Sequence, residues 1–246
     1  LGIIVYTAIF GDFDYLNEVR NQNPNLSYVC FTDKESLFSN TWEIIKCTNK
    51  DLDPRLLAKI FKIFPHKIFK NASLSLWIDG NYIINKNHHN FFDLNRNIKH
   101  IKFYRHSVRN CIFKEAEYIK KNKTEFNSIV INRQMKKYAE DGMPKDQGLI
   151  NGAIILRNHK SKLTLKLMDE WWKEILHFSI RDQLSLNYID WKNGNNMEYF
   201  EDDISNFLYF TFCPNLSEKK YSILLHIKIY FKQFLGRIIK YVRDKR

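Results

Sequence analysis

Two short runs of apolar and β-branched residues, each closed by a polar turn, constrain the fold of this chain most strongly. GIIVYTAIF at residues 2 to 10 stops at Gly11-Asp12, and SYVCFTD at residues 27 to 33 stops at Asp33. Such runs are typical of parallel strands that are buried on both faces. A third strand candidate at 42 to 47 precedes Asp53-Pro54, which pairs a helix cap with proline at the first helical position. This order of strands and helix predicts an α/β fold.

The remaining elements continue the α/β pattern up to residue 213. Apolar runs predict strands at 73 to 84 (interrupted at 79 to 81), 99 to 104, 148 to 158 and 207 to 213. Helical periodicity predicts helices at 110 to 121, 125 to 140 and 161 to 176, and another that starts near Ser179. Neither an internal repeat nor a linker precedes residue 214. We therefore expect one domain over residues 1 to 213 and a separate tail over residues 214 to 246.

Charge and composition narrow the classes of function. The chain carries a formal charge of +12, but residues 218 to 246 hold nine Lys or Arg against Glu218 and Asp244, which leaves +5 for the rest. This modest surplus suits an anionic small molecule as well as an anionic polymer. No RNP motif or Cys/His finger is present, so we predict no nucleic-acid partner, and a basic nucleic-acid scaffold stays a minor alternative. No apolar stretch reaches the length of a membrane span.

A cationic stripe follows Asp53 on the first predicted helix. Arg55, Lys59 and Lys62 fall within about 60° of one another on the helical wheel, and His66 would join them if Pro65 did not break the helix. The alternative interpretation is a solvated polar face. Because no acidic residue interrupts the stripe, we expect it to face an anion, and a pyrophosphate suits it best.

Asp79 and Asn81 flank Gly80 at the end of a buried strand. Their carboxylate and amide oxygens are ligands that hard divalent cations prefer, so the pair predicts a Mg²⁺ or Mn²⁺ site beside a nucleotide. Asp-Gly-Asn is also favourable chemistry for a hairpin turn, and the spacing alone leaves both interpretations open.

A third group of polar residues lies between Ser179 and Gln183. Asp182 falls at a predicted helix N-terminus, which would stabilise its ionised form, and Arg181 beside it is a partner or a phosphate contact. An ordinary capping box is the alternative. Asn151-Gly152 begins an apolar strand at a point where backbone can approach a ligand closely. His106 and Arg109, just beyond a strand end, are less specific candidates for the site. We interpret His88-His89 as surface loop.

Eight motifs occur in an order that resembles a known family. They are YTAIFGDFD at 6 to 14, CFTD at 30 to 33, DPRLLAK at 53 to 59, PHK at 65 to 67, LWIDGN at 76 to 81, RHSVRNCIFKEA at 105 to 116, INGAIILRNH at 150 to 159 and SIRDQLSLNY at 179 to 188. Together they resemble the glycosyltransferase-like family related to the plant TOD/MUCI70 proteins, over residues 3 to about 190. That family is similar to family 8 glycosyltransferases, so the resemblance implies a GT-A-like mixed sheet flanked by helices.

The resemblance also implies roles for individual residues. It places nucleotide contacts near Thr7, Ala8 and Asp33, phosphate contacts of the donor at Lys59 or Lys62, a Mn²⁺ or Mg²⁺ site at Asp79 and Asn81, and sugar or acceptor contacts at Asn151, Gly152, Asp182 and Gln183. Independently of the resemblance, we expect His106, Arg109 and Arg181 to contact acceptor or phosphate, and Asp182 and Gln183 to be catalytic. In this chain Asn81 stands where the family 8 pattern has a second aspartate. The late metal-binding histidine of that pattern has no match before the tail, where His226 is a poor substitute.

The tail and the motifs complete the functional hypothesis. Residues 221 to 243 interleave apolar and basic side chains at helical spacing, which predicts a basic amphipathic helix on an anionic membrane surface or, alternatively, one docked on the protein.

We expect a cytoplasmic enzyme, peripheral on the inner face of the cell membrane. It would transfer a sugar from a nucleotide-sugar donor to a hydroxyl of a surface polysaccharide, glycoconjugate or lipid-linked glycan. If transfer inverts the anomeric centre, Asp182 is the expected base, and if it retains, Asp182 or Gln183 faces the reacting sugar. The alternative is a non-catalytic glycan- or nucleotide-binding relative.

Overall fold

A computed structural model describes residues 2–49, 51–123 and 125–213. The predicted basic tail lies outside these described residues. Nine strands are described, namely β1 Ile3–Ile9, β2 Leu26–Thr32, β3 Glu43–Lys46, β4 Leu74–Ile78, β5 Tyr82–Ile84, β6 Ile101–Arg105, β7 Ile150–Asn158, β8 Glu198–Tyr199 and β9 Phe210–Phe212. Seven α-helices accompany them in the same residues, namely α1 Pro54–Ile63, α2 Pro65–Ile68, α3 His88–Asn95, α4 Ile112–Asn122, α5 Ser128–Glu140, α6 Lys162–His177 and α7 Leu186–Lys192. Single 3-10 turns form at Asp182–Leu184 and Ile204–Asn206.

Seven of these strands form one mixed sheet in the order β3-β2-β1-β4-β7-β6-β8. Strands β1, β2, β3 and β4 run parallel, whereas β7 is antiparallel to both of its neighbours. The carboxyl ends of β1 and β4 therefore meet at one edge of the sheet, and the reversed β7 brings its amino end to the same edge. A hydrogen bond of 2.8 Å from the Asp79 amide to the Ala153 carbonyl marks this junction.

The central strands are buried on both faces, as their sequences predict. Tyr6 and Trp77 belong to a core that is covered by α1 and α6, and their neighbours Val5 and Leu76 belong to a second core on the opposite face. Helix α3 covers that second face with Phe91 and Phe92. The predicted α/β class, a mixed sheet flanked by helices, is confirmed.

Helix α1 begins and ends where the sequence predicts. The Asp53 carboxylate accepts hydrogen bonds from the amides of Arg55 (2.8 Å) and Leu56 (3.3 Å), which caps the helix. Pro65 ends it and opens α2, so His66 leaves the cationic stripe and packs edge-on against Phe64. The basic side chains that remain on α1 are Arg55, Lys59 and Lys62. They lie at the sheet edge described above, around the same cavity as Asp79 and Gly80.

Two local predictions were wrong. Residues 88 to 95 form α3 instead of a surface loop, because Phe91 and Phe92 anchor this segment in the core, and His88 is buried between the Tyr28 hydroxyl and the Asn85 carbonyl. No helix starts near Ser179, since its hydroxyl accepts from the Arg181 amide and shapes a tight turn. The predicted break of the strand at Asp79–Asn81 is confirmed, since β4 ends at Ile78 and β5 begins at Tyr82. Of the two interpretations left open for this turn, the hairpin does not form, because β5 pairs with β9. Among the described residues, no helix is long and apolar enough to cross a membrane.

Candidate functional site

A cleft of about 750 Å³, including its open mouth, lies at the edge where β1, β4 and β7 meet. Four cationic side chains line it, namely Arg55, Lys59, Lys62 and Arg181, and three carboxylates face them, namely Asp14, Asp79 and Asp182. Phe10, Phe13, Trp77 and Phe126 contribute an aromatic wall. A cleft with this mixture of charge and aromatic surface suits an anionic ligand that carries a ring.

Lys62 joins the two acidic motifs of the cleft. Its ammonium Nζ lies 3.0 Å from Asp79 Oδ1 and 2.7 Å from Asp182 Oδ2, and Lys59 Nζ also lies 2.7 Å from Asp182 Oδ2. Lys62 is only 2% exposed, so the stripe is not a solvated face at this residue. The stripe and the acidic turn, predicted separately from sequence, therefore converge on one pocket.

Burial and opposite charges set the protonation of this network. Burial acts to raise the pKa of Asp182, but the ammonium groups of Lys59 and Lys62 and the Arg181 guanidinium together hold it well below its usual range. Burial acts to lower the pKa of Lys62, and the Asp182 and Asp79 carboxylates more than offset that effect, so the pKa is raised. Burial prevails at Lys59, whose pKa is lowered. Asp182 and Lys62 are therefore charged at neutral pH.

The Asp79–Asn81 turn provides oxygen atoms that suit a divalent cation. Asp79 Oδ1 accepts from Trp77 Nε1 at 2.6 Å and from Lys62, while Asn81 Oδ1 is buried without a hydrogen-bond partner among the described residues. A buried amide oxygen without a partner, two residues along the chain from a carboxylate, suits a hard cation that takes its other ligands from phosphate and water. Of the two predicted ligands, Asp79 lines the cleft and Asn81 is not among the lining residues. The described part of the chain contains no group of three His, Cys, Asp or Glu arranged around a metal site.

Asp14 is a cleft residue that the sequence interpretation did not single out. It packs against the same turn, since a Cβ added to Gly80 would lie 2.9 Å from the Asp14 Cβ. Asn17 Nδ2 donates to the Gly80 carbonyl at 3.2 Å and fixes the turn from the same loop. Burial, followed by the nearby Asp79 charge, raises the pKa of Asp14 to about 6. Its place in GDFD, directly after β1, is the signal that could have identified it.

The strand β7 supplies the back of the site. A Cβ on Gly152 would lie 3.4 Å from Asp182 Oδ2 and 3.6 Å from Lys62 Nζ, so Gly152 lies directly against the ion-pair network. Asn151 Oδ1 accepts from the Ala153 amide at 3.0 Å. Gln183 Nε2 donates to the Ile150 carbonyl at 3.0 Å, which ties the Asp182 turn to β7. Asn151 and Gln183 thus hold backbone around the cleft.

The residues expected to contact the nucleotide divide into two groups. Ala8 lines the cleft, and Thr7 beside it is buried with its hydroxyl lacking a partner among the described residues. Asp33 instead accepts from the Gly11 amide with both carboxylate oxygens, at 3.1 Å each, and fixes a turn where Gly11 has a φ of 60°. Asp33 therefore shapes the loop that leads from β1 to Asp14.

Two of the three residues expected to contact acceptor or phosphate share one buried carboxylate. Glu115, only 1% exposed, accepts from Arg109 Nε at 2.5 Å and from Arg181 Nη2 at 3.4 Å. His106 Nδ1 accepts from the Arg109 amide at 3.1 Å. Of these residues, Arg181 lines the cleft. Sequence interpretation missed Glu115, although it lies within the RHSVRNCIFKEA motif.

Comparison with known proteins tests the family resemblance. The chain is 27% identical to "Probable hexosyltransferase MUCI70" of Arabidopsis thaliana, an alignment that covers 76% of this chain and 37% of that protein. It is also similar to the crystal structure of mouse xyloside xylosyltransferase 1 in its apo form, at a TM-score of 0.46 and 14% identity over 81% of this chain and 84% of that one. The family model for the TOD1/MUCI70 glycosyltransferase-like domain matches residues 1–211. The chain therefore belongs to the TOD1/MUCI70 glycosyltransferase-like domain family.

Proposed function

We propose that this protein transfers a sugar from a nucleotide-sugar donor to a hydroxyl of a surface polysaccharide or glycoconjugate. The observation that carries the proposal is the convergence of Lys59 and Lys62 with Asp79 and Asp182 in one cleft. Membership of a glycosyltransferase-like family supports the same reaction class. The chain spans 37% of the length of its curated relative, so the kind of donor and the kind of acceptor are part of what we propose.

The charges of the cleft suit the departure of a nucleoside diphosphate. As the bond between the sugar and the diphosphate breaks, negative charge grows on the leaving oxygen, and fixed cations around it stabilise the transition state. Lys59, Arg55 and Arg181 line the cleft with partial exposure and can reach a phosphate. Lys62 is held deeper, between its two carboxylates, and contributes a fixed positive charge.

Asp182 is the candidate residue for contact with the reacting sugar. Because its pKa is held well below the usual range, its carboxylate stays ionised and has little affinity for a proton. An ionised carboxylate stabilises the positive charge that develops on a sugar ring during glycosyl transfer. This favours Asp182 as a residue that faces the reactive side of the sugar, with Gln183 holding its turn against β7.

We also propose that a Mn²⁺ or Mg²⁺ ion assists the reaction. Asp79 and Asn81 would hold it, with the unpartnered Asn81 Oδ1 as one ligand. A bound cation of this kind acts as a Lewis acid on phosphoryl oxygens. Since the turn offers a single carboxylate, its affinity for the metal depends on the phosphates of the donor.

A screen of nucleotide sugars with and without Mn²⁺ tests the proposal. Ligands that bind the native state raise its melting temperature, so we expect one nucleotide sugar to stand out. Release of the nucleoside diphosphate from that donor, with glycan added, then measures turnover. Absence of any stabilising donor, and of any nucleoside diphosphate release, would reject the proposal.

A second candidate function is that of a non-catalytic glycan- or nucleotide-binding module. Asn81 in place of a second carboxylate is the observation that favours it, because it weakens metal binding. Asp182→Ala separates the two functions: an enzyme loses nearly all turnover while a binding module has none to lose. Donor binding measured on the same variant controls for damage to the cleft.

We propose further that the basic tail brings the enzyme to an anionic membrane surface on the cytoplasmic side. The nine basic residues in 218 to 246 support this, because anionic lipid attracts such segments. A lipid-linked glycan would then lie within reach of the cleft. Liposome flotation of the full chain, compared with a chain that lacks residues 218 to 246, tests this localisation, and equal flotation would reject it.

A further inference from the structure

Arg157 on β7 is a buried cation that the proposed reaction does not use. It is 0% exposed, and no carboxylate lies within ion-pair distance of it among the residues that the structure describes. A buried charge is costly to keep unless several hydrogen bonds compensate for it. The hydrogen-bond partners of Arg157 should therefore indicate the role of its charge.

The guanidinium of Arg157 forms its hydrogen bonds at the end of helix α1. Nη2 donates to the Lys62 carbonyl at 2.6 Å, Nη1 donates to the Tyr6 hydroxyl at 2.9 Å, and Nε contacts the Met168 sulfur at 3.3 Å. The Tyr6 hydroxyl in turn donates to the same Lys62 carbonyl at 3.2 Å. One carbonyl oxygen thus receives two hydrogen bonds from the sheet beneath it.

This carbonyl belongs to the last turn of α1, where backbone oxygens have no partner within the helix. The break at Pro65 prevents the chain from supplying one. A cation is also favourable at the negative end of the helix dipole. Arg157 therefore caps the end of α1 from the sheet, and the carbonyl that it caps is that of Lys62.

The side chain of the capped residue is the ammonium at the centre of the cleft. Lys62 must reach Asp79 and Asp182 at 3.0 and 2.7 Å simultaneously, so a small shift of its backbone would break one of these contacts. Resting on the proposed function, we infer that Arg157 is a positioning residue that holds Lys62 in register with both carboxylates. Tyr6 completes the cap as the shared partner of Arg157 and Lys62.

Chemical labelling of lysines tests this inference without a substrate. Brief treatment of the full-length protein with acetic anhydride, followed by peptide mass spectrometry, gives a labelling rate for Lys62 relative to exposed Lys67. Loss of the charged hydrogen bond in Arg157→Met should raise the Lys62 rate by about tenfold or more. Arg157→Lys keeps one donor and should restore most of the protection, and Tyr6→Phe should give an intermediate rate.

Arg133→Met is the matched control. Arg133 Nη2 also donates to a carbonyl at a helix end, that of His177 at 3.0 Å, but on the exposed surface away from the cleft. It should leave the Lys62 rate unchanged. All variants are compared at one temperature well below their melting temperatures, where the unfolded fraction is small.

Equal Lys62 rates in wild type and both Arg157 variants would overturn the inference, as would an equal rise in the Arg133 control. If Arg157→Met does not fold, the comparison of Tyr6→Phe and Arg157→Lys with wild type decides the question. Inorganic pyrophosphate titrated into the same proteins separates this inference from the proposed function. Failure of wild type to bind pyrophosphate counts against the function, whereas unchanged labelling counts against Arg157.

Discussion

Lys62 Nζ lies 2.7 Å from Asp182 Oδ2, across 120 residues of sequence. The contact joins the end of α1 to the turn before α7. Because Asp79 lies 3.0 Å from the same ammonium, three separate motifs meet at one cation. The site is thus built around a buried positive charge.

Replacement of this cation should be costly for stability. Lys62→Met leaves Asp79 without its ion-pair partner and Asp182 with Lys59 and the nearby Arg181, and breaking a buried ion pair by removing one partner costs about 3 kcal/mol. Lys59→Met should cost about 1 kcal/mol, because Lys59 is more exposed and Asp182 keeps Lys62. Urea denaturation in EDTA measures both. Equal costs would contradict the central position of Lys62.

The raised pKa of Asp14 predicts a pH-dependent effect on stability. Between its ordinary value of 3.8 and about 6, the folded protein holds a proton that the unfolded chain has released, so stability is lost as the pH rises through about 6. Asp14→Asn should therefore stabilise the protein by about 2 kcal/mol at pH 8 and have little effect at pH 4. Asp12→Asn, at an exposed aspartate of the same loop, is the control. A gain that does not change with pH would refute this explanation.

Gly80 should tolerate no side chain. Its Cβ would lie 2.9 Å from the Asp14 Cβ and 3.3 Å from Ile9 Cδ1, so Gly80→Ala forces the loop and the turn apart. We expect a loss of about 2 kcal/mol, as for other overpacked sites. Gly2→Ala, where a Cβ meets nothing within 4 Å, should be neutral. Thermal melts compare the two, and equal melting temperatures would show that the loop yields freely.

Glu115 should be a stability determinant because it serves two guanidinium groups while buried. Glu115→Gln removes the charge that holds Arg109 and Arg181 and should cost about 3 kcal/mol. Glu117→Gln, on the exposed side of the same helix with Lys120, should cost less than about 0.5 kcal/mol. Chemical denaturation measures the difference, and similar values for both variants would contradict the arrangement.

Much of the fold and part of the site could be predicted from local sequence. The cap at Asp53, the break at Pro65 and the strand that ends at Asp79 are local signals, and each lies where it was expected. Strand direction is not local, so the reversal of β7, which brings Gly152 to Asp182, needed the structure.

The residues that sequence interpretation missed share a cause. Asp14 lies in a loop without periodicity, Glu115 resembles any acid on a helix, and Arg157 resembles the polar end of a strand. The role of each depends on partners far along the chain. Glu115 accepts from Arg181, for example, and Arg157 donates to the Lys62 carbonyl. Burial of their charged groups, which sequence patterns do not report, is what distinguishes them.

Calorimetric titration of UDP into the protein tests most directly whether this cleft binds a nucleoside diphosphate through α1. The account predicts that wild type binds and that Lys59→Met weakens binding by about tenfold, the value of one charge-assisted hydrogen bond. Lys67→Met, at an exposed lysine paired with Asp169 outside the cleft, should bind as wild type does. No binding of UDP, GDP or ADP by wild type, or equal affinities for Lys59→Met and Lys67→Met, would contradict it.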